Sequence, residues 1–511
     1  MTSLDELTSW DADFTGLRVV VAGLGASGFS AADTLIELGA RVVVVDGRDS
    51  EENAQRGDTL KIVGAADVLL GAEHQDRLPK IDGEEADLVV VSPGWNPRQP
   101  LIAEAEAASI PVWGDVELAW RVRQREGRPT AEWLVLTGTN GKTTTVSMAE
   151  SMLQAAGLRA LAVGNVGTPI LDAIRDPQGY DVLVVELSSF QLHYTHTMSP
   201  LASVVLNLAE DHVDWHGSFE AYREAKARIY ERTRVAAIFN AQAPETIRMV
   251  ENADVIEGCR AIGFTTDVPA RSMVGLAEGL LVDRAYLEDR ANSAIELATL
   301  EDVGELAARH NVANALAAAA LVRAYGVPPE SIRDGLRSYQ PGDHRIQAVA
   351  RRDDILWIND SKATNPHAAA ASLSSFRSVV WIAGGLSKGV DYHDLIADNA
   401  DRLRAVVTIG LDTADLEAAL REHAPNVPVL PTGVRDTGEG QQDASPGAVM
   451  RRAVERAAEV AQAGDTVLMA PAAASMDQFA SYAQRGNAFI EAVSELMEDP
   501  GRGGEAESEG S

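Results

Sequence analysis

The stretch "VVVAGLGASGFSAADTLIELGARVVVVD", residues 19–46, shows which fold class the chain begins with. A valine-rich strand runs into Gly23, Gly25 and Gly28, a helix follows, and a second strand ends at Asp46. This order is typical of a dinucleotide-binding βαβ unit. Because glycines that open a helix let backbone N–H groups approach an anion, the stretch predicts a phosphate or pyrophosphate site. It does not say which nucleotide carries the phosphate.

Composition limits the function classes to which the chain can belong. The 511 residues exceed one ordinary core and predict roughly three domains of about 150 residues each. A formal net charge of -32 argues against a nucleic-acid partner. The single cysteine, Cys259, excludes an intramolecular disulfide and fits a reducing cytoplasm. The first residues lack a signal-peptide pattern, and the apolar runs are shorter than the ~20 residues that span a bilayer, so we expect a soluble cytoplasmic protein without a membrane partner.

Strand-like and helix-like segments alternate in three blocks, which predicts an α/β fold with three domains. We expect a Rossmann-like N-terminal domain over residues 1–127 and a central P-loop-type domain with a parallel sheet over residues 128–342. A Rossmann-like C-terminal α/β domain is expected over residues 343–498. The polar segment 431–447 is predicted to be a mobile loop, and the tail 499–511 is predicted to be disordered.

The strongest chemical signal is "LTGTNGKTTT", residues 136–145. A strand leads into a tight glycine-containing loop, and Lys142 and Thr143 follow at a helix start. Backbone N–H groups and one ammonium can hold triphosphate oxygens there, while one hydroxyl reaches Mg2+. The motif departs from the general P-loop because Leu136 stands where a glycine is expected, five residues before Gly141. A bare strand-to-helix turn is the alternative interpretation.

Acids and histidines follow the next two strands. The strand "DVLVVEL" carries Glu186 near its end, where a buried carboxylate calls for a nearby cation. The segment "ASVVLNLAEDHVDWHG" places a cluster after the following strand, made of Glu210, Asp211, His212, Asp214 and His216. Because open α/β sheets bind ligands at the carboxyl ends of their strands, Lys142, Glu186 and His212 are predicted to converge. A solvated loop of mixed charge is the alternative for the cluster.

Lysine is scarce: the chain has six, at positions 61, 80, 142, 226, 362 and 388. In "SFEAYREAKARIYERT" the helical spacing places Lys226 on one apolar stripe with Phe219, Tyr222, Ile229 and Tyr230. A desolvated lysine has a lowered pKa and reacts as a free amine, whereas a lysine that extends its head to solvent is the alternative. Lys362 and Lys388 follow strands among small residues, which suits an anionic substrate, although surface loops are also compatible with this pattern.

Seven motifs, taken in order, resemble those of the Mur ligases of peptidoglycan synthesis. They are "GTNGKTTT", "ELSSFQL", "DHVDWHG", "AYREAKARIY", "HNVANALAA", "DHR" and "NDSKATNP". Together with "APAAASMDQFASYAQRG", the last motif is similar to the branch of the family that adds D-glutamate. Sister ligases carry a different, Tyr- and His-containing motif where this chain has Ser361 and Lys362. The resemblance covers residues 17–497.

The resemblance implies an ATP-dependent amide synthesis in which D-glutamate is joined to UDP-N-acetylmuramoyl-L-alanine through an acyl phosphate. It implies ATP, two Mg2+ ions and a CO2-derived carbamate on Lys226 as cofactors, and a monomeric enzyme whose partners are small molecules. The N-terminal domain would then hold the UDP of the substrate rather than a nicotinamide. Domain closure over ATP is expected because the implied ATP ligands are divided between two blocks.

The resemblance also assigns individual residues. The implied catalytic residues are Lys142, Glu186, His212 and Lys226. Of the metal ligands, Thr143 and Glu186 serve the first ion, whereas the second is served by His212 and Lys226. ATP is assigned to Gly138, Thr139, Asn140, Gly141, Lys142, Thr143, Thr144, Asn311, Asn314, Arg345 and Asp360. The UDP-substrate is assigned to Ala26, Ser27, Asp46, Arg48, Ser92, Gly94, Asn165 and Ser188. D-Glutamate is assigned to Lys362, Thr364, Lys388, Ser475 and Tyr482, the last standing where the family has Phe.

Three other functions fit parts of the sequence. A nicotinamide-dependent oxidoreductase is supported by the first fifty residues. A non-enzymatic ATP-binding module or regulator would bind nucleotide without phosphate release when all three substrates are mixed. A sister Mur ligase or a folylpolyglutamate-type synthetase would use the same phosphate chemistry with another amino acid. Product mass and phosphate release would distinguish these possibilities.

Overall fold

The computed structural model describes residues 4–304, 308–340, 342, 344–386, 390–432 and 445–498. The predicted α/β class is confirmed, since three largely parallel sheets with accompanying helices are present. The chain divides into two compact units, Met1–Tyr339 and Gln340–Ser511, and the first unit contains two of the sheets. Most of the predicted loop 431–447, the residue Lys388 and the predicted disordered tail lie outside the described residues. Among the described residues, no helix is long and apolar enough to cross a membrane.

The first sheet is parallel throughout and has the strand order β3-β2-β1-β4-β5. Its strands are β1 (Arg18–Ala22), β2 (Arg41–Asp46), β3 (Asp67–Leu70), β4 (Leu88–Val91) and β5 (Val112–Gly114). Its helices are α1 (Ala26–Glu37), α2 (Glu51–Val63), α3 (Pro100–Ala107) and α4 (Asp115–Val122), with short 3-10 helices at Leu4–Glu6 and Ala72–Gln75. The strand order reverses between β1 and β4, and such a switch point is where open α/β sheets bind ligands.

Two glycines bring the loop after β1 close to its neighbours. A Cβ on Gly28 would lie 2.0 Å from the carbonyl oxygen of Gly23, so α1 packs against the end of β1 as only glycine permits. Gly23 has φ +104° and lies against Ser92, the residue that follows β4. By contrast, a Cβ on Gly25 would have no neighbouring atom within 4 Å, so the start of α1 has open space beside it. The predicted βαβ unit is therefore confirmed in its local geometry.

The second sheet has nine strands in the order β14-β13-β12-β11-β10-β9-β6-β8-β7. Its strands are β6 (Glu132–Thr137), β7 (Ala160–Gly164), β8 (Val182–Glu186), β9 (Ala202–Val205), β10 (Ala236–Asn240), β11 (Arg260–Phe264), β12 (Met273–Ala277), β13 (Leu280–Asp283) and β14 (Ile295–Thr299). The strands from β7 across to β12 are parallel, and β13 and β14 add an antiparallel edge. The central strands are buried on both faces, which is why they consist of nearly continuous apolar residues.

Helices of the second sheet cover its faces and carry several predicted site residues. They are α5 (Lys142–Ala155), α6 (Ile170–Arg175), α7 (Ser189–His193), α8 (Val213–His216), α9 (Phe219–Ala227), α10 (Pro244–Glu251), α11 (Leu300–Val303), α12 (Arg309–Tyr325) and α13 (Pro329–Ser338). The helix α9 continues as a 3-10 turn, Arg228–Tyr230. The alanine-rich α12 packs against α5 and β9 to β12, and this packing brings Asn314, in the second turn of α12, close to Gly141 at the start of α5.

The second unit contains a six-stranded sheet in the order β15-β16-β20-β17-β18-β19. Its strands are β15 (Gln347–Arg352), β16 (Ile355–Asn359), β17 (Val379–Ala383), β18 (Leu403–Thr408), β19 (Val429–Pro431) and β20 (Thr466–Met469). Its helices are α14 (Pro366–Leu373), α15 (His393–Ala397), α16 (Ala414–His423), α17 (Pro446–Val460) and α18 (Tyr482–Glu498), with a 3-10 turn at Ala400–Arg402. All strand pairs are parallel except β15 with β16.

Candidate active site

The loop between β6 and α5, residues 138–141, is held from two sides. Gly141 has φ +83°, and a Cβ there would lie 2.4 Å from Oδ1 of Asn314, so α12 reaches this loop. The backbone N–H of Asn140 donates to Oδ1 of Asn207 at 2.9 Å, and Nδ2 of Asn207 donates back to the Asn140 carbonyl at 3.0 Å. These bonds give the loop a defined shape, which a preorganised phosphate site requires. Leu136, which stands in place of a P-loop glycine, is a buried residue of β6.

Thr139 connects the same loop to the segment after β9. Its hydroxyl accepts a hydrogen bond from the N–H of Ala209 at 3.0 Å and lies 3.0 Å from the hydroxyl of Tyr222. Tyr222 is on α9, one turn before Lys226, and is buried. Thus the loop, the segment before α8 and the helix α9 meet at one place. Asn207 and Tyr222 are functional candidates that sequence analysis did not assign, although each lies within three to five residues of an assigned residue.

Lys142, the first residue of α5, folds back over the loop. Its Nζ donates to the carbonyl oxygens of Gly138 and Thr139 at 2.9 and 3.0 Å. Its ammonium therefore lies beside the loop N–H groups, where the sequence predicts phosphate oxygens. Thr144 is buried behind it in the first turn of α5.

Glu186 ends β8 and is almost fully buried, with 1% of its surface exposed. Its two oxygens accept hydrogen bonds from the Thr143 hydroxyl at 2.8 Å and from Nδ2 of Asn165 at 3.1 Å. Thr143 and Asn165 follow β6 and β7, the two strands that flank β8 in the sheet. The parallel register brings the three side chains together at one edge, as expected for ligand groups at the carboxyl ends of strands.

Lys226 is 2% exposed, and its Nζ points at the loop of residues 138–141. It donates to the Gly138 carbonyl at 2.9 Å and to the Thr137 hydroxyl at 3.2 Å, and it lies 4.9 Å from the Tyr222 ring centroid. Burial, and then the charge of Lys142, hold the pKa of Lys226 well below the usual value for lysine. The alternative of a lysine that extends to solvent is therefore wrong.

His212 adopts a left-handed backbone conformation, with φ +52°, at the start of α8. Non-glycine residues with positive φ occur often at functional sites because the conformation is strained. Its ring centroid lies 4.8 Å from that of Phe190 and 6.3 Å from that of Tyr222. His212 is thus placed between α7, which follows Glu186, and α9, which carries Lys226. The other histidine of the cluster, His216, has its Nε2 2.9 Å from the Ser189 hydroxyl.

The chemistry of these donors can be tested against a magnesium site. Glu186 and Thr143 offer oxygen ligands, which Mg2+ prefers, and His212 offers an imidazole nitrogen. A protonated Lys226 does not fit, since an ammonium repels a cation. Burial lowers the pKa of Lys226 and favours its neutral amine, which does not repel a cation.

The predicted UDP-substrate residues of the first sheet surround the open start of α1. Ala26 and Ser27 are the first residues of that helix. The carboxylate of Asp46 accepts the backbone N–H groups of Leu24 at 2.7 Å and Arg48 at 2.8 Å. Both Asp46 oxygens are therefore already engaged in shaping the loops after β1 and β2.

On the neighbouring strand, the N–H of Ser92 donates to the carbonyl of Ala22 at 2.9 Å, and Gly94 has open space around it. Ser188 caps α7 in a reciprocal capping box with Gln191. Ser92 and Gly94 thus lie at the switch point of the first sheet, and Ser188 lies next to the carboxyl end of β8. Contact of these residues with substrate remains a prediction.

Asp115, which sequence analysis missed, links these two groups. It begins α4 directly after β5 and accepts a hydrogen bond from Nε2 of Gln191 at 3.1 Å and one from the Ser27 side chain. Because Gln191 is also the partner of Ser188, one buried carboxylate fixes a residue of each predicted substrate segment. The signal for Asp115 in the sequence is its place in "VWGD". There it directly follows a short apolar strand, much as Glu186 ends one.

Burial raises the pKa of Asp115 from 3.8 to about 6. The protonated form therefore stabilises the folded state below about pH 4, and this contribution is lost as the pH rises through 6. We expect Asp115→Asn to remove this pH dependence, so that the variant gains about 2–3 kcal/mol relative to the wild type between pH 4 and 7. Thermal unfolding midpoints across this pH range measure the difference. The exposed Asp58→Asn is the control, and a parallel response of both variants would contradict the prediction.

The second unit holds the residues predicted for D-glutamate. Nζ of Lys362 lies 3.8 Å from the Tyr482 ring centroid, a cation–π geometry, and the hydroxyl of Ser361 donates to the Tyr482 carbonyl at 2.7 Å. The N–H of Thr364 donates to the Lys362 carbonyl, and Ser475 is buried after β20. Lys388 lies outside the described residues.

Arg485 organises this part of the second unit and was not predicted. It is 0% exposed, and its guanidinium donates to the hydroxyl and carbonyl of Ser361, both at 3.0 Å, and to the carbonyl of Ala473 at 3.1 Å. These bonds tie α18 to the segments that follow β16 and β20. Its position in "AQRG" has no periodic signal that distinguishes it from an exposed arginine.

Arg345 and Asp360, predicted for ATP, are near neighbours in the second unit. The N–H of Ile346 donates to one oxygen of Asp360 at 3.3 Å, and the hydroxyl of Ser372 donates to the other. Burial raises the pKa of Asp360 to about 6, although the charge of Arg345 opposes this shift. In the first unit, Asn311 lies in the first turn of α12, three residues before Asn314. Nucleotide contact by these four residues remains a prediction.

Models of known protein families match the chain in three consecutive parts. Residues 17–114 match the Mur ligase MurD-like N-terminal domain, residues 136–322 match the Mur ligase middle domain, and residues 344–473 match the Mur ligase glutamate ligase domain. The chain belongs to the Mur ligase family. This membership removes the nicotinamide-dependent oxidoreductase as an interpretation of the first fifty residues.

Curated Mur ligases resemble the chain over nearly its whole length. The UDP-N-acetylmuramoylalanine–D-glutamate ligase of Leifsonia xyli subsp. xyli is 50% identical over 97% of this chain and 97% of the relative. The ligase of the same name from Streptomyces coelicolor is 52% identical over 95% of this chain and 99% of the relative. The chain is therefore similar over nearly its full length to proteins that carry the name of the D-glutamate branch.

Solved structures of other Mur-type ligases share the fold. The UDP-N-acetylmuramate–alanine ligase MurC of Thermotoga maritima is 16% identical and superposes with a TM-score of 0.52, covering 94% of this chain and 99% of that one. A pseudomurein peptide ligase type C of Methanothermus fervidus is 17% identical with a TM-score of 0.54, covering 94% and 100%. At these identities the likeness shows the three-domain α/β architecture alone.

Proposed function

We propose that this Mur ligase is an ATP-dependent enzyme that joins D-glutamate to UDP-N-acetylmuramoyl-L-alanine, with release of ADP and phosphate. Relatives of that name at about half identity over nearly the full chain support the choice of substrates. The observation that carries the chemistry is the buried Lys226 amine, 2.9 Å from the Gly138 carbonyl of the phosphate loop. This placement beside the loop that would hold the phosphates supports a role of Lys226 in phosphoryl transfer.

In the proposed reaction, the L-alanine carboxylate attacks the γ-phosphorus of ATP, the bond to the ADP oxygen breaks, and an acyl phosphate forms. The amine of D-glutamate then attacks the acyl carbon, an amide bond forms, phosphate leaves and the amine gives up a proton to solvent. The first step brings an anion against a polyanion, so positioning and charge neutralisation supply most of the catalysis. Magnesium, when bound, supplies part of that neutralisation.

Residues of the first unit would perform the phosphoryl step. Lys142 would place its ammonium on the β- and γ-phosphates, and the loop N–H groups of residues 138–141 would bind the same oxygens. Thr143 and Glu186 would hold one Mg2+, and His212 and the modified Lys226 would hold the other. The 2.8 Å hydrogen bond from the Thr143 hydroxyl to the buried carboxylate of Glu186 supports the first of these assignments.

The Lys226 carbamate is the finer part of the proposal. The neutral amine would attack CO2, an N–C bond would form, and one proton would pass to solvent, which leaves an anionic carboxylate on the side chain. The burial that lowers the pKa of Lys226 supplies the neutral amine. Arginine remains protonated at any accessible pH and cannot undergo this reaction. The proposal would therefore account for a lysine at this position in a chain whose 44 basic residues, counting Lys and Arg, include only six lysines.

Substrate binding would be divided among the three proposed domains, 1–127, 128–342 and 343–498. The UDP part would bind at the start of α1, and Asn165 and Ser188 would contact the muramoyl-alanine end. D-Glutamate would bind the residues of the second unit, Lys362, Thr364, Lys388, Ser475 and Tyr482. Asn311, Asn314, Arg345 and Asp360 would contact ATP. The tight backbone packing of Gly23 and Gly28, which leaves the helix start open, supports the UDP assignment.

The function is tested by phosphate release from ATP in the presence of UDP-N-acetylmuramoyl-L-alanine and one amino acid at a time. We expect D-glutamate to give a product whose mass equals both substrates minus water, at a rate about 10²-fold or more above that with L-glutamate. The control omits UDP-N-acetylmuramoyl-L-alanine. ATP binding without phosphate release would indicate a non-enzymatic module, and a product formed with another amino acid would indicate a sister ligase.

A further inference from the structure

Three side chains of the second unit meet where α15 begins and α16 ends. They are His393, the first residue of α15, and Glu422 and His423, the last two residues of α16. Nδ1 of His393 lies 2.9 Å from Nε2 of His423 and 3.5 Å from Oε2 of Glu422, and Nε2 of His423 lies 3.9 Å from Oε1 of Glu422. One ligand atom from each residue falls within 4.8 Å of the others. None of the three has a role in the proposed ligase reaction.

The spacing of these atoms fits a tetrahedral metal ion. Zinc bonds of about 2.0–2.2 Å to nitrogen and oxygen place neighbouring ligand atoms roughly 3.3–3.6 Å apart. The distances from Nδ1 of His393, 2.9 Å to Nε2 of His423 and 3.5 Å to Oε2 of Glu422, lie close to that range, and small side-chain rotations would adjust the ligand atoms to it. The alternative to a metal site is a hydrogen bond between the two imidazoles. In that case one ring donates to the other, and Glu422 only neutralises the positive charge of a protonated ring. Two imidazoles and one carboxylate whose ligand atoms face one another are also the donor set common in zinc sites with an open position.

The surroundings favour a cation and allow it to enter. His423 ends α16, where the helix dipole is negative. The side chains of His393, Glu422 and His423 are 48%, 64% and 28% exposed, so an ion can reach the ligands and water can complete its coordination. Imidazole ligands suit Zn2+, Co2+ and Ni2+, whereas Mg2+ prefers oxygen ligands.

We propose that His393, Glu422 and His423 form a surface site for a divalent transition metal of the zinc class, which clamps the start of α15 to the end of α16. The site differs from the proposed magnesium sites in its ligands, its metal and its place in the fold. It does not depend on the proposed ligase function.

The test is titration of the untagged full-length protein with Co2+ in millimolar Mg2+, followed by visible absorption, and with Zn2+, followed by calorimetry. The excess Mg2+ occupies oxygen-rich sites, so it suppresses binding elsewhere. The variants are His393→Ala, His423→Ala, Glu422→Gln and the double histidine variant. The control is His74→Ala, because His74 also lies beside a glutamate, with Nε2 3.9 Å from Oε1 of Glu73, but is on the first unit. Circular dichroism and thermal unfolding establish that each variant is folded.

We expect the wild type and His74→Ala to bind one Co2+ or Zn2+ with the intense absorption of tetrahedral cobalt. Loss of a supporting residue costs metal sites about 10–100-fold in affinity, so loss of a ligand should raise the dissociation constant at least about tenfold. The double variant should lose the absorption band. Equal binding by the wild type and the double variant, or no binding by the wild type, would overturn the proposal. If a histidine variant does not fold, metal binding by Glu422→Gln tests the proposal. The glutamine side chain has the same shape as the exposed glutamate that it replaces, so the fold should be kept.

Discussion

Replacement of Lys226 by alanine is expected to lower kcat of phosphate release by at least about 10²–10³-fold, the usual cost of removing a transition-state electrostatic group. The variant lacks the amine that lies 2.9 Å from the Gly138 carbonyl and would carry the carbamate. Lys226→Arg is expected to be similarly inactive, because arginine keeps the positive charge but cannot form a carbamate. Steady-state assays with UDP-N-acetylmuramoyl-L-alanine, D-glutamate and ATP measure both effects.

The matched control is Lys61→Ala. Lys61 is half-exposed on α2 and lies 3.6 Å from Asp67, so its loss should leave activity within about twofold, as for most surface substitutions. Equal activity of the Lys226 and Lys61 variants would refute the assigned role. Thermal unfolding of all three variants distinguishes a catalytic loss from a failure to fold.

Carbon dioxide provides a second readout at the same residue. If Lys226 acts as a carbamate, activity should fall when the enzyme is held in CO2-free buffer and recover when bicarbonate is added. The recovery should be absent in Lys226→Arg. Unchanged activity after rigorous removal of CO2 would leave Lys226 as a plain amine donor and remove the carbamate from the mechanism.

Glu186→Gln is expected to lower kcat by about 10²–10³-fold and to raise the Mg2+ concentration that gives half-maximal activity. The amide keeps the size of the carboxylate and can still accept the hydrogen bond from Thr143, so the fold should survive. The variant loses the negative charge that a divalent ion needs in this buried position. Initial rates across a Mg2+ titration measure both parameters.

Glu150→Gln is the control for this prediction. Glu150 lies on α5, the helix that begins with Lys142, and accepts the N–H of Ala162 at 2.9 Å. Glu150 therefore matches Glu186 in residue type and in accepting a structural hydrogen bond. It differs in its location, because it lies in the third turn of α5, away from the loop of residues 138–141. The assignment of Glu186 would be abandoned if both variants required the same Mg2+ concentration.

Several features of the site could be predicted from the sequence because their signals are local. One such signal is the set of glycines after β1, and another is the run from Gly138 to Thr145. Each lies where a strand turns into a helix, so the spacing alone predicts backbone N–H groups aimed at phosphate. Helical periodicity placed Lys226 on the stripe of Tyr222 and Ile229 but did not distinguish a buried amine from one that extends to solvent, which the structure decides. The order of motifs also indicated the family, which the matched domains confirm.

Other features could not be predicted, because they join residues far apart in the chain. Both oxygens of Asp46, which the resemblance assigns to the UDP-substrate, accept N–H groups from neighbouring loops, and this use depends on how β1 and β2 align. Asp115 reaches Gln191 across 76 positions, and Arg485 reaches Ser361 across 124. Such contacts depend on strand order and crossovers, which periodicity does not encode.

The sequence by itself determined the α/β class, the glycine-containing turn between β6 and α5, and the family, because valine-rich strands, glycine turns and motif order are short-range properties. Only the tertiary structure decided which carbonyl the Lys226 amine meets, which carboxylate links Ser27 to Gln191, and that His393 and His423 face each other. Hydrogen bonds and ligand sites require atoms within a few ångströms of one another. For residues dozens of positions apart, that proximity is created by packing of the sheets and helices.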